Sequence, residues 1–352
     1  MGSAGSFKLQ ARSVNQITCT EFDLPGPSRS HRDVASISFI RPVGYGDWGR
    51  TPLAKPTKGR AKVEGSEWGS ESRIAAIRRW HEKSVASRHD EILVLIEGAD
   101  IQSGHRVLDV ACGAGSPALE EARKVGPGGS VVGVDLSEAE LSLAREFAQA
   151  DRLSNVEFRI ADAGALPFED ESFDRTTSGF GAMYFPDLAR ALAESRRVLR
   201  TGGQLAWMVW GPFEQPFWRA TAGVAMRHAG ISDLPPEAAK PFCFSAGGVL
   251  RRALETAGFE SVRETTREIV SAWPGPPEEV AEMFYQGSPP FKGILDRLDP
   301  RSRKRAMAET AGTLGVYRSE GCIRVPRSMI LATGVRSSKP LIKTSRTSRT
   351  PG

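Results

Sequence analysis

The sequence predicts an α/β domain built on a doubly wound, mostly parallel sheet of seven strands. Three observations carry this. Val107-Leu108-Asp109-Val110-Ala111 is an apolar run that enters a glycine turn, Cys112-Gly113-Ala114-Gly115. A second run, Val131-Val132-Gly133-Val134, is closed by an acid, Asp135. From there, strand-like and helix-like stretches alternate up to residue 210. Strands covered on both faces read as continuous apolar runs, and alternation with helices implies parallel crossovers.

The elements follow in order. Residues 72–96 have helical periodicity through Ile74, Ile77, Trp80, Ile92 and Leu95. The first strand is expected over 106–111 and its helix over 118–125, ended by Gly126-Pro127-Gly128-Gly129. The second strand spans 130–135. Ser137 is an expected N-cap for a helix over 138–150, with Glu140 placed to close a capping box. Strands over 156–160, 174–178 and 204–210 follow, with a helix over 187–199 before the last of them. Then the alternation breaks. One extra helix is expected over 217–229, and another over 248–257, capped by Ser245 and ended by Gly258. A sixth strand is expected over 261–270, helices over 277–286 and 299–312, and a seventh strand over 322–333.

This layout suits a nucleotide-like ligand at the carboxyl ends of the strands. Gly113, Gly115, Ala118 and Asp135 meet the spacing of a dinucleotide site. Two residues argue against a pyrophosphate. Asp109, inside the first strand, would compete with it for the positive end of the helix. Pro117 removes an N–H that a phosphate would need. A cationic ligand with an amino group and a sulfonium would welcome Asp109. Gly113, Gly115, Asp135, Asp162 and Ser178 all fall at expected strand ends and so converge on one site.

Asp109-Val110-Ala111-Cys112-Gly113-Ala114-Gly115 resembles the first motif of class I S-adenosylmethionine-dependent methyltransferases. The resemblance continues in order through Val132-Gly133-Val134-Asp135-Leu136-Ser137, residues 161–168, Ser172-Phe173-Asp174 and residues 197–203. It is closest to the menaquinone/ubiquinone-biosynthesis type, and Thr201 stands where that family usually has proline. It implies a Rossmann-like methyltransferase fold with an antiparallel seventh strand and S-adenosylmethionine as cofactor. Asp109 would orient the methionine portion, and Gly113 and Gly115 would let backbone pass it closely. Asp135 would hold the ribose hydroxyls, Leu136 would pack on adenine, Asp162 would accept from the exocyclic amine, and Ala163 would donate its N–H to the ring.

The expected acceptor is a small, planar or hydrophobic molecule. An aromatic-rich stretch, including Phe213, Phe217, Trp218, Phe242, Phe284 and Phe291, would either line it or pack added helices onto the sheet. Tyr184, His81 and His228 are the candidate bases, with Tyr184 the best placed to line the site. The alternatives are an NAD(P)-dependent oxidoreductase and a noncatalytic cofactor-binding interaction protein.

Charge is uneven. The whole chain carries +5, yet residues 1–62 hold ten Lys/Arg against four Asp/Glu, and residues 336–352 hold five Lys/Arg and no acid. The body between them is therefore acidic by six, so a specific nucleic-acid interface is not expected on it. Residues 1–68 are expected to be a disordered arm and 336–352 a disordered basic tail, flanking a catalytic domain over 69–335. Within that domain the core motifs occupy 105–210, and 211–247 and 271–320 would cover the substrate. No run is long enough to span a bilayer, and Cys19, Cys112, Cys243 and Cys322 show neither pairing nor metal spacing. A cytoplasmic protein without a bound metal is expected; the oligomeric state is open. Cys112 is expected as a small side chain beside the cofactor.

Overall fold

A computed structural model describes residues 67–337, all within the compact unit Lys55–Gly352. The expected N-terminal arm up to residue 66 and the basic tail from 338 lie outside the described residues. Two helices lead in, α1 (Glu71–Ser87) and α2 (His89–Gly98), with Arg88 at their junction. The alternating core follows: β1 (Arg106–Val110), α3 (Ala118–Val125), β2 (Ser130–Asp135), α4 (Glu138–Ala150), β3 (Val156–Ile160), β4 (Phe173–Gly179), α5 (Leu188–Val198) and β5 (Leu199–Trp210). Short helices α6 (Pro216–Ala220), α7 (Ala222–His228) and α8 (Pro236–Ala239) come next, then α9 (Val249–Thr256) and β6 (Phe259–Pro274). The chain ends with α10 (Pro277–Gly287), α11 (Pro289–Asp296), α12 (Pro300–Gly315), β7 (Arg318–Ser319) and β8 (Cys322–Arg336).

The strand order is β3-β2-β1-β4-β5-β8-β6, with β7 pairing β8. Strands β1 to β5 are parallel, and β8 runs antiparallel to both β5 and β6. The order reverses between β1 and β4, which makes that crevice the ligand end of the sheet. The expected mostly parallel, doubly wound sheet and its antiparallel last strand are present. The eighth strand is the addition: β7 is two residues closing a hairpin onto β8, too short to leave a pattern in sequence.

Side-chain alternation explains the two apolar layers. Val107 packs in one core with Ile92, Leu95 and Leu119, while Leu108 and Val110 pack on the other face with Val134, Leu192 and Trp207. Successive strand residues point to opposite faces, so a central strand needs apolar residues throughout. Edge strand β3 is covered on one side, and only Phe158 is buried. Beyond the end of β5, β8 continues with β6 on one side, pairing Trp273 with Ile323 and Ala272 with Arg324, and with the short β7 on the other. That extension supplies Trp273, Ile323 and Val325 to a third core with the helices α6, α7 and α10 to α12.

Several local expectations differ. The single helix over 217–229 is two helices, broken at Thr221, whose ψ of −82° departs from helical geometry. Helix α9 has Gly248 (φ 79°) and not Ser245 as its N-cap, because the Glu264 carboxylate takes the Gly248 and Arg251 N–H groups. Cys112 faces the inner core. Its sulfur lies where a Cβ on Gly133 would come within 2.8 Å, and Phe158 crowds the same spot, so glycine in β2 makes room for both.

Candidate functional site

The carboxyl ends of β1, β2, β3 and β4 lie side by side, and the predicted cofactor residues come off them. After β1 the chain enters left-handed backbone at Ala111 (φ 60°), Gly113 (φ 53°) and Gly115 (φ 93°). A Cβ on Gly113 would meet the Glu140 carboxylate at 2.6 Å, and one on Gly115 would meet Leu119 and Ala144 at 3.2 Å. Glycine is thus required here by backbone conformation and by the chain packing on itself.

Asp135 ends β2 and pins this turn. Its Oδ2 accepts from the Gly113 N–H and its Oδ1 from the Ser137 N–H, both at 2.9 Å. Leu136 beside it stays 41% exposed, unusual for a large apolar side chain next to a buried turn. Beyond β3, exposed Asp162 accepts from the Gly164 N–H at 2.8 Å and forms a bridge with Ala165, while Ala163 is buried between them. Ser178, near the end of β4, is fully buried and its hydroxyl has no partner among the described residues.

Asp109 is the unusual group. It is fully buried, and neither carboxylate oxygen has a hydrogen-bond partner among the described residues. Burial, then the nearby Glu121 carboxylate, hold its pKa well above the ordinary carboxylate range; the Ala118 N–H, near the carboxylate but outside hydrogen-bond geometry, opposes them only in part. Glu121 itself, on the buried face of α3, is pushed by burial up to about 7, against the Thr177 hydroxyl. The start of α3 has little left to offer an anion. Pro117 precedes it without an N–H, and the Leu119 N–H already donates to the Gly115 carbonyl at 2.9 Å.

The spacing from Ser137 predicts a capping box closed by Glu140. Only half of that box forms. Ser137 Oγ accepts from the Glu140 N–H at 3.4 Å, but the Ser137 N–H is taken by Asp135. The Glu140 side chain turns into the glycine turn instead and pairs with Arg73 at 3.3 Å. Burial raises its pKa to about 7, with Arg73 opposing. Arg73 also lies over the Trp68 ring (4.8 Å), and Trp68 meets Tyr184 edge to face at 4.9 Å. These contacts lead from the glycine turn across to Tyr184, in the turn after β4. Trp68 and Arg73 left no signal in the sequence, because their role depends on how the lead-in segment folds back.

The other candidate bases lie elsewhere. His81 stacks on Phe147 at 3.4 Å, about two and a half turns along α4 from the ligand end, and burial lowers its pKa. His228 is on α7 and pairs with Glu309 of α12 at 2.8 Å. Burial raises the Tyr184 phenol, so it keeps its proton at neutral pH. The aromatic-rich stretch mostly packs on itself: Trp218 sits edge to face with Phe242 (5.2 Å) and Phe284 (5.9 Å), and all three are buried. No group of three metal-ligating side chains and no helix long and apolar enough to cross a membrane occur among the described residues.

Comparison with known proteins places this arrangement among relatives. A model of the ubiE/COQ5 methyltransferase family matches residues 92–222. Nocamycin O-methyltransferase of Saccharothrix syringae is 30% identical over 254 residues, covering 68% of this chain and 88% of that protein. Demethylmenaquinone methyltransferase of Listeria welshimeri is 40% identical over 128 residues, covering 36% of this chain and 54% of that protein. Methyltransferase GfsG of Streptomyces halstedii is 42% identical over 113 residues, covering 32% and 40%. The chain spans about half the length of the demethylmenaquinone methyltransferases it matches.

Proposed function

The chain belongs to the class I S-adenosylmethionine-dependent methyltransferases, and on that premise we propose that it transfers a methyl group from S-adenosylmethionine to a small, planar or hydrophobic acceptor. The observation that carries the cofactor reading is Asp109, a buried carboxylate without a partner beneath the glycine turn. A ligand that brings an ammonium and a sulfonium gives such a group the charge complement it lacks. A pyrophosphate would bring more negative charge to a helix start with few free N–H groups, which argues against the dinucleotide oxidoreductase.

In this reading Asp109 orients the amino-acid portion, and Gly113 and Gly115 shape the turn over it. Asp135 holds the ribose hydroxyls with lone pairs not used by the Gly113 and Ser137 N–H groups. Leu136 supplies an exposed apolar surface for the adenine, Asp162 accepts from its amine, and the Ala163 N–H donates to the ring. Ser178 offers a buried hydroxyl from the end of β4. Tyr184 lines the methyl-transfer region as a neutral phenol and does not take a proton. When bound, the cofactor supplies a methyl carbon on a positively charged sulfur that departs neutral, so positioning can provide much of the rate.

The test is thermal unfolding with S-adenosylmethionine, S-adenosylhomocysteine and NAD. At a hundredfold excess over Kd, a bound ligand adds about 2.7 kcal/mol of stability. Stabilisation by either sulfur compound and none by NAD is expected; the reverse pattern would sink the reading. Turnover across candidate acceptors then separates an enzyme from a noncatalytic cofactor-binding protein.

A further inference from the structure

One cluster beside the candidate site has no part in holding the cofactor. Helix α2 runs antiparallel to β5: the Gln204 side chain, near the point where β5 joins the parallel sheet, reaches the Gly98 carbonyl at the end of α2. The start of α2 therefore lies over the carboxyl ends of β4 and β5. There Glu91, 1% exposed, is shared by two arginines. Arg88 Nε donates to Glu91 Oε2 at 3.3 Å, and Arg327 Nη1 donates to Glu91 Oε1 at 3.0 Å.

Two guanidinium groups against one carboxylate leave a net positive charge, buried at Arg327 and Glu91 and open at Arg88. Arg327 is buried, and its Nε has no hydrogen-bond partner among the described residues. A buried charge without a counter-charge is costly. Asp109, whose carboxyl also feels Arg88, belongs to the glycine turn, and its own burial beside Glu121 favours its neutral form. Arg88 keeps an open side, its side chain being 31% exposed where Glu91 is closed. A small cavity of about 10 Å³, room for a single oxygen or water, is bounded by Arg88, Glu91, Pro117, Gly179, Phe180 and Met208 and joins this cluster to the residues that follow the glycine turn.

Aromatic rings pack against both arginines. Phe180 and Trp210 stack at 4.4 Å, Arg88 lies 5.3 Å over Phe180, and Arg327 lies 4.1 Å over Phe217. Rings here meet cations on their faces, an arrangement that holds guanidinium groups in place without neutralising them.

We propose that the methyl acceptor binds as an anion, a phenolate or enolate, with its ionised oxygen on Arg88 and its ring plane against the Phe180–Trp210 stack. The proposal rests on the methyltransferase reading for its function but not for the anion site itself. It also requires no base beside Tyr184. An acceptor oxygen that arrives ionised forms its bond to carbon as the carbon–sulfur bond breaks, with that electron pair left on sulfur. No proton remains to be removed.

The test uses the full chain with S-adenosylhomocysteine and two flat probes, 4-nitrophenol and its neutral ether 4-nitroanisole. Binding is followed by calorimetry and by the visible absorbance of the nitrophenolate. The expected result is that nitrophenol binds as its phenolate, so its ionisation moves to lower pH in the complex. Arg88→Gln should weaken that binding roughly tenfold or more, as loss of a partly buried charge partner does, and leave 4-nitroanisole binding unchanged. If Arg88→Gln does not fold, the absorbance of the probe on the parent protein still decides. Nitrophenol bound in its neutral form, 4-nitroanisole bound as tightly as the phenolate, or no binding of either would overturn the proposal. Failure of S-adenosylhomocysteine to bind, with the phenolate still captured, would overturn the methyltransferase reading and leave the anion site standing.

Discussion

Replacing Glu121 with leucine should make the protein more stable at pH 8 than at pH 5 relative to its parent. Glu121 stands on the face of α3 that also buries Ala118, Ala122 and Val125. It is fully buried, and its carboxyl is pushed from the ordinary 4.5 up to about 7. The folded protein thus holds a proton that the unfolded chain has already lost between those values. The native state is favoured below pH 4.5 and loses that advantage as pH rises through 7. Raising a pKa by one costs the ionised form about 1.36 kcal/mol, so the penalty is on the order of 3 kcal/mol at pH 8 and below about 1 kcal/mol at pH 5. Leucine removes the ionisable group at similar volume, and any change in packing is the same at both pH values. The gain of Glu121→Leu over the parent should therefore be about 2–3 kcal/mol larger at pH 8 than at pH 5. Urea unfolding at the two pH values measures it directly. An equal difference at both would mean that the Glu121 carboxyl is ionised without penalty, and the account of this buried pair would be wrong.

Two further outcomes are expected. Asp135→Asn should weaken S-adenosylhomocysteine binding roughly tenfold or more, because charge-assisted bonds to the ribose are the strong kind. It should also cost about 1 kcal/mol of stability in urea, since one of the Gly113 and Ser137 N–H groups then faces an amide N–H; unchanged affinity would remove Asp135 from the ribose site. Asp299→Ala should destabilise by about 1 kcal/mol without affecting cofactor binding, because Asp299 caps α12 through the Arg301 and Ser302 N–H groups at 2.9 and 3.0 Å; an unchanged melting temperature would contradict it.

The alternating half of this protein is legible in its residues alone. β2, α3, α4 and β3 have the bounds that hydrophobic period, glycine punctuation and the Ser137 cap require. Those are local signals, and a chain with both faces of its sheet covered has few other ways to bury such runs. Strand ends also follow from local pattern, which is why Gly113, Gly115, Asp135, Asp162 and Ser178 can be grouped from spacing and order. What local pattern cannot state is who meets whom across hundreds of residues. Glu140 reads as a capping partner because its spacing allows it, yet Asp135 takes the competing N–H and Arg73 draws the carboxylate into the turn. The aromatic residues after β5 read equally well as a ligand wall or as packing, and only the helix arrangement around Trp218 assigns most of them to packing. The Arg88–Glu91–Arg327 cluster joins residues 236 positions apart. Its net charge exists only because tertiary packing closes two arginines around one carboxylate, and no spacing in the sequence encodes that.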